Sequence, residues 1–178
     1  MKNSYIPEVL KEKILKTINI FYGLALLLLS VLSAIALLTF NINDNSFLTS
    51  TSNVSQNLLG NLGSYYASFL FYTFGILAYL VILFFLIYSI YVFVNKNPRY
   101  LFIRLLLFFI SLIFIPQIFI DLKLEFTFID SIKTWGIFAD QLFNLYNYNY
   151  ISYLLTFIGI SIYTVSYTHL TLPTNTTV

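Results

Sequence analysis

Apolar residues in this chain gather into long uninterrupted runs, and the runs set the architecture. Ile18 to Phe40 extends for 23 residues and Tyr66 to Val94 for 29 without a charged side chain. A helix rises about 1.5 Å per residue, so about 20 apolar residues already cross a hydrocarbon core roughly 30 Å thick. Leu101 to Ile120 and Tyr150 to Tyr167 are weaker runs of the same kind. The pattern predicts an all-α integral membrane fold with four transmembrane helices, at about 18–40, 66–94, 101–120 and 150–167.

The stretches between the runs carry patterns of their own. Glu8 to Thr17 sets Val9, Leu10, Ile14 and Leu15 among Lys11, Lys13 and Lys16, a basic amphipathic segment expected to lie on the inner leaflet surface ahead of the first span. Asn41 to Ser64 is polar, rich in Asn and Ser and charged only at Asp44, which suits an extracytoplasmic loop, and Asn53-Val54-Ser55 has the form of a glycosylation acceptor. Asn95-Lys96-Asn97-Pro98-Arg99 is short and its proline stops a helix, so spans two and three form an antiparallel hairpin. From Leu122 to Phe128 apolar and polar residues alternate, which predicts a short extended segment. Beyond it Phe128, Ile132, Trp135, Ala139, Leu142, Phe143 and Tyr146 share a stripe about 100° wide. That stripe predicts an extracytoplasmic amphipathic helix before the fourth span, lying on the outer leaflet or docking on a partner or on the spans through the same face.

Charge orients the spans. Four positive residues precede the first (Lys2, Lys11, Lys13, Lys16), three flank the turn after the second (Lys96, Arg99, Arg104) and two lie in the loop before the fourth (Lys123, Lys133). Seven therefore fall on one side and two on the other. Positive residues near span ends stay in the cytoplasm, which places the N-terminus, the 95–100 loop and the C-terminus inside. A cleaved signal peptide is the rival reading of the start, with Ala34-Ile35-Ala36 as its cleavage site. The apolar run outlasts an h-region of about 7–15 residues and continues through Leu37 and Leu38, as an uncleaved anchor does.

The composition, 59% hydrophobic and 9% charged over 178 residues, makes lipid the solvent, since soluble domains average about 25% charged. With no cysteine and one histidine, His169, neither a thiolate nor a histidine cluster is available, and no metal or cofactor is expected. The net charge of +2 sits beside the membrane and reads as topology and anionic-lipid contact, so no nucleic acid is expected to bind this segment. There is no phosphate-binding G-x-x-x-x-G-K-[ST], no G-x-S-x-G and no pair of intramembrane carboxylates, so neither an enzyme, nor a catalytic residue, nor a small-molecule substrate is expected. Arg104, four residues into the third span, reads as a snorkelling side chain, and Ser30 with Ala34, a small pair four apart that could let another helix approach, reads rather as ordinary helix packing. A small transporter or channel subunit, or an unrelated membrane scaffold, remains as an alternative.

Four short motifs then occur in order. Leu37-Leu38-Thr39-Phe40-Asn41-Ile42-Asn43-Asp44-Asn45-Ser46 closes the first span, and Asn57-Leu58-Leu59-Gly60-Asn61-Leu62-Gly63-Ser64-Tyr65-Tyr66-Ala67-Ser68 leads into the second. Phe74-Gly75-Ile76-Leu77-Ala78-Tyr79 follows, and Trp135-Gly136-Ile137-Phe138-Ala139-Asp140 precedes the fourth. Over roughly residues 18 to 165 the chain resembles the N-terminal four-span membrane domain of the FtsK/SpoIIIE DNA translocases. Asp44, Ser46, Asn57, Gly60, Gly63, Gly75, Gly136 and Asp140 stand at the family-motif positions, while Ser64 and Ser68 depart from the family's usual alanine and aspartate. The resemblance implies a non-catalytic membrane anchor that oligomerises a motor in cell division and chromosome segregation. It further implies a bacterial inner membrane location enriched at the septum, with partners among the bilayer, copies of itself and division proteins.

The expected organisation is a cytoplasmic basic segment at 1–17, the four-span domain at 18–165 and a tail at 166–178. The tail holds five threonines against nine in the preceding 165 residues, and such a composition break is expected of an artefactual or disordered terminus that adds no packing. Reporter fusions check the topology: those at Asn53 and Asn147 should report outside and one at Asn97 inside, and an inside signal at Asn147 would leave only three spans.

Overall fold

A computed structural model describes residues 7–47, 49–52, 54–94, 101–122, 124, 127–129, 132–146 and 149–168. Among these residues seven α-helices carry the fold: α1 Glu8–Leu38, α2 Gly60–Phe74, α3 Leu80–Phe93, α4 Leu101–Phe114, α5 Gln117–Asp121, α6 Gly136–Tyr146 and α7 Asn149–Thr168. A 3₁₀ segment, Gly75–Tyr79, joins α2 to α3, and two short antiparallel strands, β1 Thr127–Ile129 and β2 Ile132–Lys133, precede α6. Among the described residues three helical stretches are long and apolar enough to cross a membrane, Val9–Leu38, Gly60–Phe93 and Phe102–Ile120. Tyr153–Val165 is a shorter apolar helix inside α7, whose 20 residues reach about 30 Å. The protein is membrane-embedded.

No proline or glycine interrupts the chain between Pro7 and Gly23, so the basic segment expected as a separate surface element forms the first turns of the α1 helix itself. Its buried face is Gly23, Leu26, Ser30, Ser33 and Leu37, spaced three and four apart. Against this face α3 runs antiparallel. Ser89 donates its hydroxyl to the Gly23 carbonyl at 2.9 Å, and Ser30 donates to the Ile82 carbonyl at 3.0 Å. A Cβ on Gly23 would stand 3.1 Å from the Phe93 ring. The small residues of the seam are thus Gly23 and Ser30, while Ala34, four residues after Ser30, is only half-buried and forms no close-approach pair with it.

A second close pair forms from α4 and α7, where a Cβ on Gly159 would lie 2.9 Å from the Phe114 Cβ and 3.0 Å from the Ile115 nitrogen. The two pairs meet through rings. Phe84 of α3 stacks on Phe108 of α4 with centroids 4.3 Å apart, and Tyr88 and Tyr163 extend the layer at 4.5 and 6.4 Å. Offset aromatic contacts of this kind add about 0.5–1.5 kcal/mol each beyond area burial.

The second apolar run, expected as one span over 66–94, is broken. Gly75 takes φ 60° and ψ −139°, a region open essentially to glycine alone, and ends α2. The rings of Phe71 and Tyr79 lie 5.4 Å apart, although eight residues on a straight helix would separate them by about 12 Å along its axis. The chain therefore turns sharply at Gly75. The 3₁₀ segment and α3 together rise about 31 Å, enough for the crossing by themselves. In the third run Pro116 follows the end of α4 and starts α5.

The amphipathic helix expected over 128–146 begins only at Gly136. Its first turns are replaced by β1 and β2, which continue the alternation seen from Leu122 to Phe128. Residues 169–178, the Ser166–Thr168 side chains, the 95–100 turn and Asn53 of the glycosylation motif lie outside the described residues.

Gly75 and Gly136 touch backbone to backbone. A Cβ on Gly75 would overlap the Thr134 carbonyl oxygen, and one on Gly136 would come within 2.5 Å of the Thr73 carbonyl oxygen. The Ile76 amide donates to the Thr134 carbonyl at 2.9 Å between them. Gly60 also has positive φ, 63°, but open space around it. Gly60→Ala should therefore cost only the conformational penalty of about 1–2 kcal/mol, whereas Gly75→Ala or Gly136→Ala should remove cooperative thermal unfolding of the detergent-solubilised protein. Equal melting shifts for all three would refute the close approach.

Candidate functional site

Polar groups concentrate at the side of the bundle that carries the 39–59 and 122–135 loops, here the long-loop side. α1 ends there, and a helix end leaves its last carbonyls without intrahelical partners. Thr39 returns both its amide and its hydroxyl to the Ile35 carbonyl, at 3.1 and 2.7 Å. The Asn57 side-chain amide donates to the Ala36 carbonyl at 2.8 Å, and its own carbonyl oxygen accepts from the Leu59 amide at 3.0 Å. The Asn57 backbone carbonyl accepts from the Gly60 amide at 2.8 Å. One asparagine thus ties the end of α1 to the start of α2. Gly63 is required beside it, because a Cβ there would overlap the Asn57 side-chain oxygen.

Asp44 is the centre of this arrangement, only 3% exposed. Its Oδ1 accepts from the Gln56 amide at 2.8 Å. Its Oδ2 accepts from the Asn57 amide at 2.9 Å and from the hydroxyls of Ser55 and Ser64 at 3.0 and 3.1 Å. Burial pulls its pKa upward, and the two amides and two hydroxyls more than reverse this, so the carboxyl sits below its ordinary value. Ser64, where the family more often has alanine, is one of those donors. Ser46 lies beside the cluster, bonding the Thr49 carbonyl through its amide and the Thr49 hydroxyl through its own, both at 2.8 Å.

The remaining motif positions gather in a second cluster. Gly75 and Gly136 are the clasp described above, and Asp140 accepts from the Trp135 indole N–H at 3.3 Å, close to the clasp's own backbone. The eight positions thus form two groups: Asp44, Ser46, Asn57, Gly60 and Gly63 at the α1–α2 junction, and Gly75, Gly136 and Asp140 between α2 and α6. Ser68, where the family more often has aspartate, is buried and donates to the Tyr65 carbonyl at 2.9 Å.

Two polar residues inside the apolar runs also matter, one that the pattern concealed and one whose role it misassigned. Gln117, 1% exposed, donates to the Ala139 carbonyl at 2.8 Å and so binds α5 to α6. Its signal in the sequence is an amide directly after Pro116 inside an apolar run. Arg104 does not snorkel: its guanidinium bonds the buried Tyr88 hydroxyl, and its Nη1 is buried with no hydrogen-bond partner. Four residues into α4 it had the reach to leave the bundle, but the phenol of a fully buried tyrosine offers it an acceptor inward.

Chemically these clusters cross-link. Asp44 accepts from four donors, and the two serine hydroxyls beside it point their protons at its carboxylate with no histidine or second acid among their hydrogen-bond partners in the described residues. Asp44→Ala should destabilise the α1–α2 junction by about 1–3 kcal/mol, the usual cost of stranding buried donors, seen as faster hydrogen exchange at the Gln56 and Asn57 amides. Since the folded pKa lies below the unfolded one, the carboxylate's contribution is full above about pH 4 and is lost as pH falls through the folded value. Relative to the intrinsic exchange rate at each pH, protection of those amides should fall on acidification in the parent and stay flat in the variant.

Comparison with known proteins bears on the whole arrangement. No curated protein and no solved structure matches the chain. Residues 15–170 match the family described as the 4TM region of DNA translocase FtsK/SpoIIIE. That match takes in every crossing and both polar clusters, and the chain belongs to this family of translocase membrane domains.

Proposed function

We propose that this chain is the membrane-anchoring and oligomerising region of an FtsK-like DNA translocase. It serves cell division and chromosome segregation, and it is non-catalytic over these residues. The observation that carries the reading is the family match over residues 15–170, which falls on the membrane region and not on a motor. The absence of a phosphate-binding G-x-x-x-x-G-K-[ST] from the 178 residues is consistent with it. By the charge asymmetry, the long-loop side faces away from the cytoplasm of a bacterial inner membrane, and the N-terminus and the 95–100 turn face inward. Partners are then further copies of the chain and proteins of the division machinery.

The packing supports an anchor over a transporter. Ser30 and Ser89 give their hydroxyls across the α1–α3 seam to the carbonyls of Ile82 and Gly23, and Ser111 gives its own to Phe108 within α4, so these polar groups are taken up by backbone and line no polar route. A fluorescent fusion of the chain in dividing bacteria should enrich at the septum. The purified protein should neither hydrolyse ATP nor bind duplex DNA at physiological salt. Uniform membrane distribution would favour the transporter or scaffold reading, and salt-resistant DNA binding would overturn the assignment of its positive charges to the membrane.

A further inference from the structure

Helix α2 is apolar enough to be counted with the second crossing, yet its contacts place it elsewhere. The bonds Ser30 to Ile82 and Ser89 to Gly23 set α1 and α3 in antiparallel register, and extending that register puts Ser33 level with Tyr79. Were α2 coaxial with α3, Tyr66 would stand about 21 Å beyond Leu80. Instead its hydroxyl lies 2.8 Å from the Ser33 hydroxyl, a displacement no tyrosine side chain can bridge. At the other end of α2, Phe74 directly precedes Gly75, where the second crossing begins, and its ring meets Phe109 of α4 with centroids 5.9 Å apart. Both ends of α2 therefore lie near the depth where the crossing through 75–93 begins, one beside α1 and the other beside α4 and α6.

The two faces of α2 differ accordingly. Toward the bundle it buries Gly63, Ser64, Ala67 and Ser68, residues small enough to let it settle on its neighbours, followed by Phe71 and Phe74. Away from it, Leu62, 84% exposed, and Phe69, 50% exposed, stand seven residues apart on one side, with Tyr66 between them. Phe47, 67% exposed, reaches the same patch from the loop, with its ring 5.2 Å from Tyr65 and 6.2 Å from Phe69.

We propose that α2 lies in the plane of the membrane, as an interfacial helix of the leaflet on the long-loop side. Leu62, Phe69 and Phe47 are immersed at the boundary between headgroups and acyl chains. Three observations assign the face to lipid. It sits at the level where the crossing through 75–93 leaves a hydrocarbon core about 30 Å thick. The helices it is joined to, α1 and α3, themselves carry exposed apolar side chains, among them Leu38 and Leu83. No charged residue occurs from Asn45 to Asn95, so nothing on α2 resists immersion, and its tyrosines suit the interfacial belt. The proposal rests on membrane embedding alone and on neither septal localisation nor self-association.

Because the chain has no cysteine, single replacements can be labelled cleanly. Leu62→Cys, Phe69→Cys and Phe47→Cys would carry a nitroxide in the full chain, with Leu83→Cys and Ile90→Cys of α3 as references. All five side chains are exposed, so folding should be kept, and each variant would be compared with the parent by circular dichroism. In vesicles of phosphatidylcholine and phosphatidylglycerol, depth would be read from collision with oxygen and with an aqueous nickel chelate. Leu62, Phe69 and Phe47 should report one shallow depth, while Leu83 and Ile90 should differ by about 10 Å. A difference of about 10 Å between Leu62 and Phe69 would make α2 part of the crossing and overturn the proposal. Full access of the nickel chelate to all three, with Leu83 and Ile90 still immersed, would equally overturn it and leave the face to a protein. Loss of immersion at Leu83 and Ile90 would instead contradict membrane embedding itself.

Discussion

The backbone contact between Gly75 and Gly136 is the constraint on which the arrangement of the bundle depends. One half of the fold is α1, α2 and α3, the other α4 to α7, and on the long-loop side they meet where neither partner has room for a Cβ. Both glycines hold positive φ, 60° and 76°, so each also makes a turn that other residues resist. Breaking a helix at membrane depth normally strands backbone groups, which cost several kcal/mol in hydrocarbon. Here the freed Ile76 amide is taken by the Thr134 carbonyl. The same contact turns the chain at Gly75, starts α6 at Gly136 and fixes where the second crossing begins.

Within the bilayer the chain relies on other means, because lipid tails give apolar helices no reason to leave them for one another. Close approach at Gly23 and Gly159 maximises dispersion contact, and the serine-to-carbonyl bonds of Ser30 and Ser89 add about 0.6–2 kcal/mol apiece. Between the two close pairs the filling is aromatic, Phe84, Tyr88 and Phe108, rather than small. Small residues bind helices within each half, and rings and the glycine clasp bind the halves together.

What the residue pattern conveyed and what it withheld follow from this division. Apolar length alone locates α1, α4 and α7, since crossing a fixed thickness demands it. Asp44, Asn57 and the glycines at 60, 63, 75 and 136 stand out through the family motifs, and the structure gives each a bond or a close contact. The turn at Gly75 is invisible to hydropathy, which sums apolarity along a run but carries no direction, so α2 and α3 read as one span. The helix over 128–135 was misread for a related reason. Phe128, Ile132 and Trp135 fit a helical stripe, but positive φ at Gly136 uncouples them from α6, and the preceding residues pair as strands.

Arg104 shows the same limit in energetic form. Distance from a helix end decides whether an arginine can reach headgroups, but not whether it does, because that depends on which acceptors the interior offers. Tyr88 is fully buried under Phe84, and its phenol oxygen is an acceptor at hand for the guanidinium. A charge-assisted hydrogen bond in a low dielectric is roughly twice as strong as a neutral one, and it competes with hydration the side chain would gain only by leaving. Nη1 remains without a partner, so the inward position is incompletely satisfied. It is held by the ring layer around Tyr88, the same layer that joins the two halves of the bundle.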